Sequence, residues 1–274
     1  MSNAVEKAKE YYDSSEADNF YYHVWGGTDI HVGLYDEPGV DIASASAKTV
    51  EFLTSRMKRL LPSGVILDIG SGYGGAARHL ADHGYLVDCL NISAVQNRRN
   101  QELTQAEGLH DSIRVFEGSF QEMPFENAVY DVVWSQDAIV HSSDRERVFQ
   151  EVDRVLKPGG YFIFTDLMAT PECPEDVLQN LVTRIHLSDM GSPERYSLYA
   201  GKLGWSNVEA DLKPEHAASH YKAVYNEIET RRSELERLCS PDYINTMESG
   251  LLQWVEAAKS GHITWGVLIF QKAE

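Results

Sequence analysis

The 274-residue sequence has few cysteines, few basic residues and no long apolar run. Its three cysteines, Cys89, Cys173 and Cys239, are widely spaced, so they offer neither a C-x-x-C pair nor a disulfide framework, and they predict a reducing, cytoplasmic environment. Only 24 Lys and Arg residues stand against 42 Asp and Glu residues, and the net charge of −18 argues against a nucleic-acid or anionic-membrane partner. No run of about 18 apolar residues is present, so the sequence predicts no membrane span.

The first residues also lack the features of a targeting segment. The stretch MSNAVEKAKEYYDSSEAD is polar and acidic, unlike a signal or transit peptide. The sequence does contain 43% hydrophobic residues, over a length that suits one large α/β domain with an insertion or two small domains. The charge of −18 fits a protein from a salt-rich cytoplasm, where screening removes self-repulsion, and an ordinary acidic enzyme is the alternative.

A glycine-rich turn after a buried strand is the central motif. Residues 65–75 read VILDIGSGYGG, and a helix-like run follows them. Gly70 and Gly72 permit backbone conformations and a close ligand approach that a Cβ atom would block. Asp68 lies at the strand tip, where its carboxylate can order the loop. Such a turn presents backbone N–H groups at the carboxyl edge of a sheet, although the pattern alone is weak because a strand, turn and helix can simply pack together.

Strand-like and helix-like segments alternate over the first part of the chain. Besides the strand before the glycines, we predict strands at 86–92, 113–117, 130–135 and 161–166, and helices that begin after the N-cap residues Ser93, Asp144 and Ser192. This alternation predicts an α/β fold with a doubly wound parallel sheet. We expect an inserted helical cap at about 167–204, then a short strand at 207–212, helices at 215–238 and 241–259, and a final strand at 263–271.

The first 40 residues are rich in aromatic side chains, among them Tyr12, Tyr21, Tyr22 and Trp25. This density predicts a lid or a pocket wall. We therefore divide the chain into an N-terminal lid segment, residues 1–40, and a domain of residues 41–274 that carries the inserted cap. Aromatic side chains can also simply fasten a helix to the core, which is the alternative for most of them.

Polar residues at the predicted strand ends are candidate ligand contacts, because open α/β sheets bind ligands at the carboxyl ends of their strands. A hydride-transfer dehydrogenase usually has an acidic residue about 20 positions past the glycines, where it binds a ribose. Here that position is Asn91. An amide can still bond a ribose hydroxyl as donor and acceptor, so Asn91 disfavours a nicotinamide cofactor without excluding a nucleoside.

The segments LDIGSGYGG, CLNIS, EGSF, SQDAIVH and VLKPGG together resemble the motif series of class I S-adenosylmethionine (SAM)-dependent methyltransferases. The flanking segments NFYYHVWGGTDIHVGLY, LSDMGS and ITWGVLIFQK are similar to those of sarcosine/dimethylglycine N-methyltransferases, which make glycine betaine. The resemblance implies a Rossmann-like, seven-stranded sheet in the order 3-2-1-4-5-7-6 with strand 7 antiparallel. It also implies SAM as the cofactor, S-adenosylhomocysteine as its product, and no metal.

The resemblance assigns cofactor contacts to the predicted strand ends. Gly70 and Gly72 would approach the methionine part of SAM, and Asn91 would bind the ribose. Ile92 and Phe120 would pack on the adenine. The full set that the resemblance implies is Asp68, Gly70, Ser71, Gly72, Asn91, Ile92, Gln96, Ser119, Phe120, Ser135 and Gln136.

The resemblance also implies a pair of residues that closes the site. In phosphoethanolamine methyltransferases, a histidine that matches His141 pairs with an N-terminal tyrosine, for which Tyr12 is the best match and Tyr11 the alternative. His141 is then a candidate for closing the site or for accepting the proton of the amine. A histidine after an apolar pair can equally be a packing residue.

The acceptor needs contacts of two kinds. A trimethylammonium product has no hydrogen-bond donor, so aromatic faces suit it, whereas a carboxylate needs a cationic partner. The candidate substrate contacts are Tyr21, Tyr22, Trp25 and Trp265, with Met190 from the LSDMGS segment, and Arg184 or Arg195 for the carboxylate. Either arginine can instead be solvated.

We therefore expect in-line methyl transfer to the small-molecule amines sarcosine and N,N-dimethylglycine, which gives the osmoprotectant glycine betaine. We expect the enzyme to be a cytoplasmic monomer or homodimer. The alternatives are a methyltransferase for another small acceptor (glycine, phosphoethanolamine or a natural product), a SAM-binding protein without catalysis, and a nicotinamide reductase.

Overall fold

The computed structural model describes residues 3–25, 27–184 and 189–274, apart from the side chains of residues 3–5 and Arg184. The strands are β1 Val65–Ile69, β2 Leu86–Asn91, β3 Ile113–Glu117, β4 Tyr130–Gln136, β5 Leu156–Ala169, β6 Ser206–Leu212 and β7 Ile263–Gln271. The helices are α1 Asn3–Asp13, α2 Ser15–Val24, α3 Ile42–Leu60, α4 Gly75–Asp82, α5 Ala94–Ala106, α6 Arg145–Val155, α7 Glu175–Arg184, α8 Pro193–Lys202, α9 Pro214–Leu235 and α10 Pro241–Lys259, and a 3₁₀ turn spans Ile139–His141.

Across the described residues, the strands form one seven-stranded sheet in the order β3-β2-β1-β4-β5-β7-β6. The pairs from β3 to β5 are parallel, and β7 runs antiparallel to both β5 and β6. This arrangement confirms the predicted fold, including the antiparallel seventh strand.

Apolar residues on both faces of the central strands explain why the sheet is covered by helices on both sides. Along β7, Val267 and Ile269 pack with the α3 and α4 cluster, whereas Leu268 and Phe270 pack with the cluster that includes Phe149 of α6. Successive side chains of a strand point to opposite faces, so this one strand contributes to both layers of the core.

A third apolar cluster lies apart from the two layers that cover the sheet. It joins Phe20 and Trp25 of the N-terminal segment to Tyr221 of α9 and Trp254 of α10. Helix α2 is therefore packed against the C-terminal helices by buried aromatic side chains.

Helix starts were predicted well from capping chemistry. The hydroxyl of Ser93 accepts a hydrogen bond from the backbone N–H of Gln96, and Asp144 and Ser192 cap their helices in the same way. Strand β5 is longer than predicted, because the chain already pairs with Tyr130 of β4 at Leu156, before the Lys157–Gly160 turn signal. Within the described residues, no helix has the length and apolar character that crossing a membrane requires.

Within the described part of the stretch 167–204, helix α8 lies away from the ligand cavity. Tyr196 and Tyr199 of α8 instead pack on Phe149 of α6, in the core layer on one face of the sheet. Of the described residues in this stretch, Leu167 alone lines the cavity. Residues of α1, α2 and α10 line the cavity instead, among them Tyr12, Tyr21 and Trp254. We call helices α1 and α2 the roof.

Candidate active site

A cavity of about 910 Å³ opens at the carboxyl ends of β1, β2 and β4. Its floor includes the glycine loop after β1, and its walls include residues of α1, α2, α9 and α10. The predicted residues that line it are Tyr12, Tyr21, Trp25, Asp68, Gly70, Ser71, Gly72, Asn91, Ile92, Gln96, Ser119, Phe120, Gln136 and His141. The N-terminal aromatic segment and the glycine loop thus share one cavity.

The glycine loop has the backbone shape expected from its sequence. Gly70 and Gly72 have positive φ angles of 74° and 52°. A Cβ atom on Gly70 would lie 2.3 Å from the Cβ of Ala138, and one on Gly72 would lie 3.1 Å from Cδ1 of Ile30. At Gly70 a larger residue is therefore excluded by both conformation and space. At Gly72 it is disfavoured by conformation and would also require Ile30 to move by a few tenths of an ångström.

Several buried polar atoms in residues on the cavity wall have no hydrogen-bond partner within the described chain. They are Oγ of Ser71, Nε2 of Gln96 and Nε2 of Gln136. The Gln96 amide is oriented by Asn91, whose Nδ2 donates to Gln96 Oε1 at 2.8 Å. Buried polar groups are normally paired, so these atoms fit a polar ligand with hydroxyl, amino and carboxylate groups, as SAM has.

Asp29, His31 and Asp68 form a charged group on the cavity wall. His31 Nε2 lies 3.6 Å from Asp29 Oδ1. Burial opposes both charges, but each partner stabilises the other, so the pKa of His31 is raised and the pKa of Asp29 is lowered. Burial, and next the charge of Asp29, raise the pKa of Asp68 to about 7. The wall thus carries a histidine–carboxylate pair beside a carboxyl group, that of Asp68, which is partly protonated near neutral pH.

Asp137 fixes the turn that follows β4. Its backbone is left-handed, with a φ of 52°, a conformation that Asp adopts more readily than most residues. Its carboxylate accepts hydrogen bonds from the Val32 N–H at 2.6 Å, Thr165 Oγ1 at 2.8 Å and Trp265 Nε1 at 2.8 Å. Three donors from separate parts of the chain hold this turn, which leads directly into the 3₁₀ turn that carries His141.

His141 and Tyr12 are in contact. Tyr12 Oη lies 3.0 Å from His141 Nε2, whereas Tyr11 Oη lies 3.0 Å from Tyr243 Oη, so Tyr12 is the partner of the histidine. Burial, and next the charge of Arg145, lower the pKa of His141 to about 4. Burial also raises the pKa of Tyr12. At neutral pH the pair is therefore a hydrogen bond between two uncharged groups.

The part of the cavity wall near Tyr12 is aromatic. The Tyr21 ring lies 5.7 Å from the Tyr12 ring and 5.2 Å from Trp25, measured between ring centroids. Further lining residues were not predicted from the sequence: Tyr221, Tyr243, Thr246, Met247, Gly250, Leu251 and Trp254 of the C-terminal helices, and Asp29, Ile30 and His31 before α3. The α10 residues recur at spacings of three and four, and this helix-face pattern is the signal that could have identified them.

Four predicted contacts do not line the cavity. Ser135 is fully buried, and its hydroxyl donates to the Ile69 carbonyl at 2.9 Å. Tyr22 packs edge-on against Tyr73, and Met190 lies in the apolar core. Trp265 is fully buried and donates to Asp137, so it supports the turn after β4 and does not face the ligand space.

Of the two predicted arginines, Arg195 is the one whose side chain is described, and it does not face the cavity. Arg195 donates to Asp189 Oδ2 at 2.7 Å and to the Met190 carbonyl at 2.9 Å, so its guanidinium is held outside the cavity. The side chain of Arg184 lies outside the described residues. Among the described residues that line the cavity, there is no arginine.

The sheet order, the glycine loop and the polar cavity at the carboxyl edge define a class I SAM-dependent methyltransferase. Residues 67–164 match the family described as "Methyltransferase domain". This match covers the strands and turns that build the floor of the cavity.

Two relatives that match nearly the full length of the chain identify a family within this class of methyltransferases. The chain is 49% identical over 273 residues to a sarcosine/dimethylglycine N-methyltransferase from Aphanothece halophytica, covering 99% of each chain. It is 43% identical over 270 residues to an enzyme of the same name from Halorhodospira halochloris, covering 98% of this chain and 97% of the relative. The chain therefore belongs to the sarcosine/dimethylglycine N-methyltransferase family.

A solved structure supports the same relationship. A crystal structure from Galdieria sulphuraria, described as a candidate sarcosine dimethylglycine methyltransferase, superposes with a TM-score of 0.91 at 44% identity. The match covers 96% of this chain and 99% of that chain. Nearly the whole architecture is thus shared.

Proposed function

We propose that this enzyme transfers methyl groups from SAM to the nitrogen of sarcosine and of N,N-dimethylglycine, ending at glycine betaine. The observation that carries the proposal is the single cavity that joins the glycine loop to an aromatic wall. Aromatic faces stabilise a methylated ammonium group that offers no hydrogen bonds, and they are poorly suited to a strongly hydrated primary ammonium. The names of the two full-length relatives support the same pair of acceptors.

We propose that the floor of the cavity binds the cofactor. Gly70 and Gly72 let the backbone approach the methionine part, and Asn91 with Gln96 bonds the ribose. Bound SAM supplies a methyl group on a sulfonium, which a neutral amine can attack in line. The chain then contributes mainly by holding the two reactants close and aligned, which is worth on the order of 7–11 kcal/mol.

His141 and Tyr12 form the second part of the proposal. An attacking amine must have lost its proton, and a neutral imidazole can accept one or orient a water molecule that does. The low pKa of His141, about 4, keeps the ring neutral at physiological pH but makes it a weak base. We therefore propose that the pair chiefly closes and aligns the site, and that proton transfer is its secondary role.

An acceptor assay tests the proposed activity. Purified enzyme is incubated with methyl-labelled SAM and, separately, glycine, sarcosine, N,N-dimethylglycine and phosphoethanolamine, with product identity read by mass spectrometry. We expect betaine from dimethylglycine and both dimethylglycine and betaine from sarcosine, with little product from glycine. One methyl group changes binding in a pocket by only ~1–3 kcal/mol, so some leakage to glycine is compatible with the proposal. Fast methylation of phosphoethanolamine with no product from dimethylglycine would rule it out.

We further propose that the enzyme acts in the cytoplasm as a monomer or homodimer. The free thiols of Cys89, Cys173 and Cys239 support a reducing compartment. Cell fractionation and analytical ultracentrifugation test the two statements separately.

A further inference from the structure

The acceptor carries a carboxylate, and the described lining residues offer it few positive charges. The basic residues among the described lining positions are Lys7, His31 and His141. His31 is paired with Asp29, the imidazole of His141 is neutral at physiological pH, and Lys7 is exposed on α1. The arginine nearest in sequence to His141 is Arg145, and it is occupied by Asp189 and the Val140 carbonyl.

One donor in a lining residue has no partner. Trp25 is 8% exposed, and its indole Nε1 is buried without a hydrogen-bond partner in the described chain. Leaving a buried N–H unpaired is unfavourable, so such a donor on a cavity wall points to a ligand that accepts it.

Trp25 lies at the acceptor end of the cavity. Tyr12, which is bonded to His141, has its ring 5.7 Å from Tyr21, and Tyr21 is 5.2 Å from Trp25. The Tyr221 ring lies 6.2 Å from the Trp25 ring, measured between ring centroids, and Tyr221 also lines the cavity. Burial raises the pKa of Tyr221, so its hydroxyl remains a donor.

Charge balance shows why neutral donors suffice. A deprotonated amino-acid acceptor carries one negative charge, and the sulfonium of SAM carries one positive charge. Methyl transfer forms the C–N bond and breaks the C–S bond, so the positive charge moves from sulfur to nitrogen and remains next to the carboxylate. The carboxylate then needs hydrogen bonds to replace its hydration rather than an additional cation.

We propose that the indole N–H of Trp25 donates a hydrogen bond to the carboxylate of the acceptor, with the Tyr221 hydroxyl as a second donor. This inference rests on the proposed function, and it gives the carboxylate a neutral partner in place of Arg195, whose guanidinium is bonded to Asp189. Trp25 then binds the acceptor in two ways: its N–H bonds the carboxylate, and its aromatic face contacts the methylated nitrogen.

Calorimetry on Trp25→Phe tests the inference, because phenylalanine keeps an aromatic face and removes the N–H. N,N-dimethylglycine and betaine are titrated into the enzyme saturated with S-adenosylhomocysteine, with N,N-dimethylethylamine as a probe that lacks the carboxylate and offers no oxygen acceptor. We expect about tenfold weaker binding of the two carboxylates by Trp25→Phe, little change for the amine, and unchanged affinity for S-adenosylhomocysteine. Tyr221→Phe should show the same selective loss.

Trp205→Phe is the matched control, because Trp205 is also buried but donates to Asp153 outside the cavity. Equal carboxylate affinity in Trp25→Phe and wild type overturns the inference, as does a loss seen with Arg184→Gln but not with Trp25→Phe. If Trp25→Phe does not fold, the same comparison with Tyr221→Phe decides. A wild-type enzyme that binds neither dimethylglycine nor betaine contradicts the proposed function itself, together with this inference.

Discussion

At Gly72 the left-handed backbone and the lack of a side chain together keep space open in the cavity. Its φ of 52° is left-handed, and an added Cβ would lie 3.1 Å from Ile30 on the cavity wall. We expect Gly72→Val to abolish binding of S-adenosylhomocysteine, because the branched side chain would fill the space proposed for the methionine part. Calorimetry with S-adenosylhomocysteine measures the loss, and circular dichroism reports folding.

Gly84→Val is the matched control for Gly72→Val. Gly84 also has a positive φ, 86°, but an added Cβ there would meet nothing within 4 Å. Both variants should lose stability through backbone strain, whereas cofactor affinity should fall in Gly72→Val alone. A folded Gly72→Val protein that keeps its affinity would contradict the cofactor site.

The contact between His141 and Tyr12 leads to a prediction about turnover. Their 3.0 Å hydrogen bond joins α1 to the turn after β4. We expect His141→Ala to lower kcat at least about tenfold while changing the affinity for S-adenosylhomocysteine much less, since alignment acts on the transition state. Tyr12→Phe should move the same parameters in the same direction. Loss of cofactor binding without loss of kcat in either variant would argue against this role.

The lowered pKa of His141 also predicts a pH dependence of stability. Burial, followed by the charge of Arg145, lowers the pKa of this histidine from 6.5 to about 4. Between these two pH values His141 is protonated in the unfolded chain but not in the folded chain. Its contribution to the free energy of unfolding is therefore fully present above pH 6.5 and is lost as the pH falls toward 4. Chemical denaturation should show a shallower fall for His141→Gln than for wild type. His220, whose pKa is lowered to about 3, titrates in the same range in both proteins, so the difference between them is the informative quantity.

At the scale of helices and strands, the N-terminal roof is held at two places. Lys9 Nζ donates to the Ile92 carbonyl at 2.9 Å, and Asp13 Oδ1 accepts from Ser93 Oγ at 2.7 Å, so α1 is bonded to the turn between β2 and α5. At the other end, Glu16 accepts from the Ser240 N–H at 3.0 Å at the start of α10. The roof is thereby connected to the floor proposed to bind the cofactor and to the helix that completes the aromatic wall.

We predict that this roof becomes more ordered when the cofactor is bound. Hydrogen exchange of residues 8–35 should slow on addition of S-adenosylhomocysteine, because α1 and α2 cover the ligand. Asp13→Asn should weaken that protection, since the contacts to the turn at Ser93 depend on its carboxylate, and Asp111→Asn, whose side chain is 96% exposed, is the control. Identical exchange of residues 8–35 with and without the ligand would count against closure.

The positions of helices and strands were predicted better from the sequence than the tertiary contacts of their side chains. Ser93 was recognised as an N-cap because the capping bond is local and links residues three apart. Trp265 was expected in the ligand space because it is aromatic, but its place in β7 turns its indole toward Asp137. Tyr243 and Trp254 line the cavity but were not predicted to do so. The sequence pattern shows that they share one face of a helix, but it does not show which distant part of the chain that face contacts.

At the scale of the whole molecule, the charge of −18 is the dominant feature of the surface. Like charges repel throughout the folded protein and favour expansion of the chain. Exposed ion pairs such as Lys9 with Glu117 act in the opposite sense, but each is worth only about 0–1 kcal/mol. Screening by salt weakens both the repulsion and the ion pairs. Because 42 acidic residues stand against 24 basic residues, we expect the weakened repulsion to have the larger effect on stability.

We therefore predict that salt stabilises this enzyme. Raising NaCl from about 50 mM to about 1 M shortens the screening length from more than about 10 Å to about 3 Å, so the thermal midpoint should rise by several degrees. KCl should act equally, since screening depends on ionic strength, and an uncharged osmolyte should not reproduce the dependence. Replacing the exposed Glu102 and Asp111 by lysine should reduce the salt response, because each change substitutes a positive charge for a negative one. A midpoint that falls with NaCl would mean that ion pairs, rather than net repulsion, control the stability of the folded chain.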